Sequence, residues 1–272
     1  MHQIRGVDYE LFERGSGRPV LLLHGFTGQG SWIDRFPDLP ARLISPSLLG
    51  HGGTSHESIG RMRMSQQVRD LSALLDRDDR PWTVIGYSLG GRIGMTLAAC
   101  DDRVEHFIGI STTAGLESAT LRKERRTQDA ALAGFLEQHG IEAFVNRWER
   151  LPLWHQTEEM RAALRPERLA QRPEALADHL RAIGTGSMPS VWPMLDRLPR
   201  TDLIVGKHDL KFREIAKRMQ LRQAHIRIHE IPDAGHAPHI ENAQQFGTMI
   251  EKLILGGNEN GISSKLDFGP NV

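Results

Sequence analysis

One stretch decides the fold: Val84-Ile85-Gly86-Tyr87-Ser88-Leu89-Gly90-Gly91-Arg92. It begins as a short apolar run, is interrupted by the pattern Gly-X-Ser-X-Gly, and continues with a helical pattern. In a nucleophile elbow, a strand enters a sharp, strained turn that leaves the central side chain exposed at the carboxyl end of a sheet, and a helix then leads away. The pattern therefore predicts Ser88 as an exposed nucleophile.

The residues around Ser88 meet the steric needs of such a turn. Gly86 and Gly90 stand two positions before and after it, where small residues let strand and helix approach closely. Residues 82–85 are typical of a buried strand, and residues 92–100 of a helix. The amino end of that helix would point its free N–H groups at any anion formed beside Ser88.

Length and charge narrow the range of possible functions. The 272 residues allow one large domain or a domain with an inserted cap. Lys plus Arg and Asp plus Glu both number 34, so the formal net charge is zero, which argues against a nucleic-acid or membrane-surface binder. The one cysteine, Cys100, is predicted to fill the core. Because we find no long apolar run and no signal-peptide core, we expect a cytoplasmic protein.

Strand and helix patterns alternate through the first part of the chain. Strand patterns occupy residues 19–23, 42–45, 82–85 and 104–111, and helical patterns follow the second and the third of them. This alternation is the signature of an α/β fold with a mostly parallel, doubly wound sheet. Ligands of such sheets gather at the carboxyl ends of the strands.

A glycine-rich loop at residues 24–28 follows the first central strand. It is expected to face the same crevice as Ser88. The backbone N–H groups of Phe26 in this loop and Leu89 in the elbow are predicted to form an oxyanion hole. His24 is expected to hold the loop through its own hydrogen bonds rather than to act as a base.

The alternation stops between residues 112 and 197, where the pattern is helical and rich in charged and aromatic residues. We predict an inserted helical cap there, over the strand ends. Two further strand patterns and a closing helix follow, so residues 1–111 and 198–256 are predicted to form the core domain. The remaining residues, 257–272, are polar and glycine-rich without periodicity, and we predict a disordered tail.

Ser88, Asp209 and His236 occur in the chain order nucleophile, acid, histidine, each just past a predicted strand. In a triad, His236 would take the Ser88 proton, while Asp209 would fix the histidine tautomer and stabilise the imidazolium. Four rival triad members are less well placed after strand ends: Asp202, Asp233, His208 and His239. His236 and His239 lack a third ligand cluster nearby, so no metal is expected.

Several motifs besides the triad are distinctive. They are His24-Gly25-Phe26-Thr27-Gly28, Leu49-Gly50-His51-Gly52, 86–92, Thr113-Ala114-Gly115-Leu116, 122–129, 140–144, Trp148 with Pro152, 184–186 with Pro189, Ser190 and Trp192, 209–212, and 234–236. Together they resemble the 2-succinyl-6-hydroxy-2,4-cyclohexadiene-1-carboxylate synthases of menaquinone and phylloquinone biosynthesis, a branch of the α/β-hydrolase superfamily. The resemblance spans roughly residues 18–255 and implies the α/β-hydrolase fold with an inserted cap.

The resemblance implies a lyase rather than a hydrolase. That family eliminates pyruvate from 2-succinyl-5-enolpyruvyl-6-hydroxy-3-cyclohexene-1-carboxylate and uses no metal or organic cofactor. Ser88, activated by His236 and Asp209, would abstract a ring proton rather than form an acyl-enzyme. The resemblance does not distinguish menaquinone from phylloquinone as the end product of the pathway.

The expected partner is a small polycarboxylate substrate with three carboxylates, which planar guanidinium groups bind in bidentate fashion. By position within the matching motifs, Arg92, Arg125 and Arg168 resemble the carboxylate-binding arginines of that family. Tyr87 and Trp148 resemble its pocket residues.

Some assignments have alternatives. Arg165 or Arg172 could take the place of Arg168, because the later cap helix can be aligned in more than one way. Relatives commonly have aspartate where this chain has Ser47, a position expected to support a loop.

A carboxylesterase or carbon–carbon-bond hydrolase would use the same triad covalently, and a ligand sensor would keep the fold for binding. The arginines favour the synthase over a generic esterase, whose pocket is mostly apolar.

Overall fold

A central sheet organises the structure, a computed structural model that describes residues 1–256. The predicted tail at 257–272 lies outside these residues. In chain order the strands are β1 (His2–Ile4), β2 (Val7–Tyr9), β3 (Leu11–Arg14), β4 (Arg18–Leu23), β5 (Ala41–Pro46), β6 (Trp82–Tyr87), β7 (Val104–Ile110), β8 (Arg200–Gly206) and β9 (Ile226–Ile231). β1 and β2 form a small antiparallel hairpin, and the other seven form the central sheet in the order β3-β5-β4-β6-β7-β8-β9.

The pairing of the central strands explains their composition. β3 runs antiparallel to β5 at one edge, and the strands from β5 to β9 pair in parallel. Successive side chains of a strand point to opposite faces, so Leu21 and Leu23 belong to one apolar layer and Val20 and Leu22 to the other. A parallel sheet covered on both faces needs such continuous apolar strands. The predicted doubly wound α/β sheet is confirmed.

Helices cover both faces of the sheet. In chain order they are α1 (Met64–Leu75), α2 (Leu89–Ala98), α3 (Ala119–Trp148), α4 (Glu158–Leu169), α5 (Pro173–Ile183), α6 (Leu210–Arg222), α7 (Pro238–Glu241) and α8 (Ala243–Leu255), with 3₁₀ turns at Gly30–Arg35 and Trp192–Arg197. α1 and α2 pack into one apolar layer and α8 into the other. Among residues 1–256, no helix is long and apolar enough to cross a membrane.

Cys100 lies just beyond the end of α2 and is exposed. The prediction that it fills the core is wrong. The apolar spacing of α2 continues to this position in the sequence, but the helix ends at Ala98 and the chain turns outward.

Three helices, α3, α4 and α5, lie between β7 and β8, within the segment predicted as a cap. α3 is bent at Gly140, whose φ of 76° favours glycine. The helices share a separate apolar cluster that includes Leu136, Phe144 and Leu176, and Phe26 from the loop after β4 packs against it. These three helices, called the cap below together with the loops that join them, therefore contact the carboxyl edge of the sheet.

The strand order places a crevice beside β4. The chain leaves β4 to form β5 on one side and returns to form β6 on the other side. In open α/β sheets, ligands bind at such a switch point, outside the carboxyl ends of the strands. Leu23 pairs in register with Gly86, so the loop after β4 and the elbow after β6 emerge at the same level.

Candidate active site

Ser88 occupies a strained turn between β6 and α2. Its backbone has φ 48° and ψ −101°, a conformation that L residues rarely adopt and that the surrounding structure must enforce. A Cβ atom at Gly86 would lie 2.5 Å from the Gly90 carbonyl oxygen, and one at Gly90 would collide with the Leu23 carbonyl. The two glycines are thus required by close backbone approach, as the sequence pattern predicts.

The three predicted triad residues lie together. Ser88 Oγ is 3.0 Å from His236 Nε2, and His236 Nδ1 is 2.9 Å from Asp209 Oδ2. The other Asp209 oxygen, Oδ1, accepts a hydrogen bond from the Phe212 N–H at the start of α6. With Nδ1–H donated to the carboxylate, Nε2 is left as an acceptor for the Ser88 hydroxyl proton. This is the geometry of an activated nucleophile or of a relayed base.

The rival triad members are placed elsewhere. Asp202 is buried and bound by His106, His229 and Arg227 on the neighbouring strands. The Asp233 side chain is 88% exposed. His239 packs its ring 4.4 Å from that of Tyr87, and His208 packs against His155. Among the described residues, His236 and Asp209 therefore form the pair that reaches Ser88.

The oxyanion hole at the N–H groups of Phe26 and Leu89 stays a prediction, and both residues line a cavity that Ser88 also lines. Leu89 is the first residue of α2, so its N–H has no partner within the helix. The Gly90 N–H donates to the His24 carbonyl at 3.0 Å, which ties the elbow to the loop that carries Phe26. His24 Nδ1 lies 2.8 Å from the Gly25 carbonyl, and Nε2 accepts from the Leu48 N–H. Burial lowers the pKa of His24 to about 3, so it is neutral and holds the loop, as expected.

A cavity of about 160 Å³ lies above Ser88, and three cationic side chains contribute to its lining. Arg92, beside the elbow, donates to the Ile183 carbonyl at 2.6 Å, and burial, reinforced by Arg125, lowers its pKa to about 10. Arg125, on α3, pairs with Asp129 at 2.8 Å. Lys211 is the third, and burial lowers its pKa. The cavity is therefore suited to an anionic ligand.

Lys211 was not among the predicted site residues. It stands two positions after Asp209 in the first turn of α6, inside the 209–212 motif. A cation so close to the triad acid is a signal that could have identified it, since the start of α6 faces the cavity.

Aromatic side chains form the other walls of the cavity. Tyr87, Trp148 and Phe26 line it, as predicted for the first two, together with Trp154. The Tyr87 hydroxyl and Trp148 Nε1 are buried and have no hydrogen-bond partner among residues 1–256. Burial raises the pKa of Tyr87, which keeps the hydroxyl protonated and able to donate. Both groups are therefore buried donors on side chains that line the cavity.

Arg168 does not line the Ser88 cavity. It is buried in an adjoining cavity of about 60 Å³, whose lining includes Phe26, Tyr87 and Trp154 as well. Its guanidinium is 3.0 Å from a Glu149 carboxylate oxygen and lies over the Trp154 ring, 5.8 Å from the ring centre. That Arg168 binds a substrate carboxylate therefore stays a prediction, and in this arrangement the residue lines the adjoining cavity instead of the cavity of Arg92 and Arg125.

The two alternatives to Arg168 also point away from Ser88. Arg165 binds Glu149 and Asn146. Arg172 donates to the Thr54 carbonyl. Within the part of the chain that the structure describes, no group of three His, Cys, Asp or Glu side chains is placed to hold a metal ion.

Comparison with known proteins agrees with this architecture. The pattern of the alpha/beta hydrolase family matches residues 20–247. A Bacillus subtilis protein provisionally named as 2-succinyl-6-hydroxy-2,4-cyclohexadiene-1-carboxylate synthase is 35% identical, over 92% of this chain and 95% of its own. The protein with that name from Serratia proteamaculans is 29% identical, over 88% of this chain and 94% of its own.

A solved structure gives the same result. The structure of MenH from S. aureus has a TM-score of 0.85 and 32% identity, over 91% of this chain and 98% of its own. A thermophilic esterase from Thermogutta terrifontis, at 23% identity and a TM-score of 0.80, shares the fold. The chain therefore belongs to the alpha/beta hydrolase family and, within it, to the 2-succinyl-6-hydroxy-2,4-cyclohexadiene-1-carboxylate synthases.

Proposed function

We propose that this protein is a carbon–oxygen lyase of menaquinone or phylloquinone biosynthesis. It eliminates pyruvate from 2-succinyl-5-enolpyruvyl-6-hydroxy-3-cyclohexene-1-carboxylate to give 2-succinyl-6-hydroxy-2,4-cyclohexadiene-1-carboxylate. The observation that carries this proposal is that Ser88 and His236, which is bound by Asp209, line one cavity together with three cations. We also propose the cytoplasm as the place of the reaction, in keeping with the single cysteine.

The names of substrate and product define the bonds that change. A base removes the proton from the ring carbon that carries the succinyl group, where the neighbouring carbonyl makes it acidic. The electron pair forms a new ring double bond, the existing double bond shifts by one position, and the carbon–oxygen bond to the enolpyruvyl group breaks. The reaction needs a base and a stabiliser for enolate charge, and it needs no acyl-enzyme.

The triad supplies the base. Ser88 Oγ takes the ring proton as its own proton passes to His236 Nε2, 3.0 Å away. Asp209 stabilises the imidazolium that forms. The proton held by His236 is then available to the enolpyruvyl group, which departs as pyruvate. The N–H groups of Phe26 and Leu89 stabilise the negative charge on the succinyl carbonyl oxygen.

The cations and polar aromatic groups bind the substrate. Arg92, Arg125 and Lys211 offer charge-assisted hydrogen bonds to carboxylates. The Tyr87 hydroxyl and the Trp148 N–H, for which residues 1–256 offer no hydrogen-bond partner, add neutral donors. Arg168 lines the adjoining cavity and can join them where the side chains shared by the two linings, Phe26, Tyr87 and Trp154, move aside.

The test measures pyruvate release from substrate made in situ by the preceding pathway enzymes, beside hydrolysis of an aryl ester. We expect rapid elimination and negligible ester hydrolysis from the wild type, and no elimination from Ser88→Ala. Ser58→Ala, at an exposed serine, is the matched control and should match the wild type. Brisk ester hydrolysis without elimination would instead support the carboxylesterase alternative.

A further inference from the structure

Glu241 is a buried carboxylate at the end of α7, behind the triad histidine. Its Oε2 atom accepts hydrogen bonds from the N–H groups of Gly235, at 2.6 Å, and Ala237, at 3.3 Å. These two residues directly precede and follow His236 in the chain. One carboxylate oxygen thus holds the backbone on both sides of the triad histidine.

The second oxygen of Glu241 faces the cap. Its Oε1 atom accepts a hydrogen bond from the His155 N–H at 2.8 Å. His155 follows Trp154, which lines the Ser88 cavity and lies 5.7 Å from the His236 ring. A single side chain therefore connects the histidine loop of the core to the segment of the cap that covers the cavity.

Two other contacts show how closely core and cap approach here. A Cβ atom at Gly235 would lie 3.1 Å from His155 Cβ and 3.3 Å from its backbone nitrogen. The His155 ring packs 4.6 Å from the ring of His208, the residue before Asp209. The cap segment thus touches both loops that carry the triad partners of Ser88.

A carboxylate suits this place better than its amide would. It is an acceptor at both oxygens, whereas glutamine presents one oxygen and one N–H₂ donor. Three N–H groups converge on the two Glu241 oxygens, so a glutamine could serve either the histidine loop or the cap but not both.

We propose that Glu241 is a positioning residue that fixes His236 against Ser88 through one oxygen and holds the Trp154–His155 segment over the cavity through the other. This inference rests on the proposed function, because it takes His236 to be the proton acceptor. It assigns Glu241 no contact with the substrate. Its effect reaches the reaction through the position of His236 and reaches substrate binding through the position of Trp154.

The test compares Glu241→Gln and Glu241→Ala with Glu251→Gln, an exposed glutamate of α8 that serves as the matched control. Misplacement of a reacting group by about 1 Å can cost about 100-fold in rate. We expect kcat for elimination to fall about 100-fold in Glu241→Ala, with a rise in KM, and to fall less in Glu241→Gln. Glu251→Gln should match the wild type.

A merely structural role gives a different pattern. Thermal unfolding would shift downward, but kcat per folded molecule and KM would stay at wild-type values. That result would overturn the proposal. If the Glu241 variants do not fold, Gly235→Ala provides the second test, because its methyl group would press on His155 and Glu241 without removing the carboxylate. Wild-type kcat and KM in a folded Gly235→Ala protein would then contradict the proposal.

Labelling of Ser88 by a fluorophosphonate separates this inference from the proposed function. The labelling rate depends on activation of Ser88 by His236 and needs no natural substrate. Slow labelling of Glu241→Ala beside fast labelling of the wild type would support the positioning role even if the wild type released no pyruvate. Equal labelling of both would overturn it. A wild type that neither releases pyruvate nor reacts with the probe would remove the basis of both proposals.

Discussion

The sheet edge and the cap meet at one cavity, but they hold their functional groups in different ways. On the sheet edge, the elbow backbone fixes Ser88, His236 lies 3.0 Å from Ser88 Oγ, and Asp209 lies 2.9 Å from His236. In the cap, Arg125 projects from a helix surface and is paired with Asp129. The backbone fixes the arrangement of the functional groups at the sheet edge, whereas the positions of the cap side chains depend on helix packing and on competing ion pairs.

This difference has a kinetic consequence. Groups that act only in the transition state change kcat, whereas groups that bind substrate and transition state equally change KM. We therefore expect substitutions on the sheet edge to lower kcat and substitutions of cap cations to raise KM. The predictions that follow test this division, from the largest expected effect to the smallest.

The largest effect is expected on the sheet edge. His236→Ala should lower kcat by about 10⁴-fold or more, since loss of a triad histidine removes the proton acceptor. Asp209→Asn should lower kcat by about 10³-fold, because the histidine loses its fixed tautomer, while asparagine can still cap α6. Steady-state pyruvate release and thermal unfolding check both. Loss of folding in both variants would contradict the catalytic assignment.

A cap cation should affect capture instead. Arg125→Ala should raise KM about 10- to 100-fold, the loss expected for a charge-assisted hydrogen bond, with a smaller change in kcat. Lys123→Ala removes an exposed cation from the same helix and should leave KM unchanged. If Arg125→Ala lowered kcat alone, the division between the two regions would be wrong.

Arg168 allows a finer test within the cap. Since it lies in the adjoining cavity, Arg168→Ala should raise KM less than Arg125→Ala does. It should also lower the free energy of unfolding by about 1–3 kcal/mol, because the buried Glu149 loses one of its two arginine partners among residues 1–256. Substrate titration and urea unfolding measure the two effects. A KM as high as that of Arg125→Ala would show that Arg168 contributes equally to substrate binding and would contradict its placement outside the substrate cavity.

The smallest effect on turnover is expected at the junction of the two regions, where the effect falls on stability in acid. His51 of the core and His179 of the cap pack with ring centroids 4.6 Å apart, and burial lowers both pKa values, as it lowers that of His24 to about 3. The pKa of each of these histidines is lower in the folded protein than in the unfolded chain. As the pH falls, the unfolded chain therefore binds protons before the folded protein does. Stability should therefore decrease as the pH falls below about 6.5, by up to about 1.4 kcal/mol per pH unit for each histidine.

Urea unfolding at a series of pH values checks this expectation. For His24 the loss should continue until the pH reaches its folded pKa of about 3. His179→Phe should flatten the dependence, because it removes one titrating group. A free energy of unfolding that stays constant between neutral and acid pH would contradict the assignment of neutral buried histidines.

The comparison also explains what the sequence could predict. The elbow could be predicted from the sequence because backbone contacts at positions 86 and 90 leave room for glycine and for no larger residue. Asp209 and His236 could be chosen because each follows a strand, and the ends of parallel strands must lie at one edge. These are local constraints, so they leave local signals.

The cap and the core–cap contacts leave weaker signals. By its position in the sequence, Arg168 resembles a carboxylate-binding arginine of the family. Its guanidinium, however, is held by an ion pair with the buried Glu149. Glu241 has its role through the packing of distant segments, which brings positions 155 and 241 into contact. No spacing in the sequence encodes such contacts, because helix propensity and charge do not specify the partner.

The measurement that tests the central claim most directly is the fate of the ring proton. The substrate is deuterated at the ring carbon that carries the succinyl group, and pyruvate release is followed together with the mass of the quenched protein. Relayed base catalysis by Ser88 predicts a primary isotope effect on kcat/KM and no mass added to the protein. An absent isotope effect together with an adduct on Ser88 would contradict it and would indicate covalent, hydrolase-like chemistry.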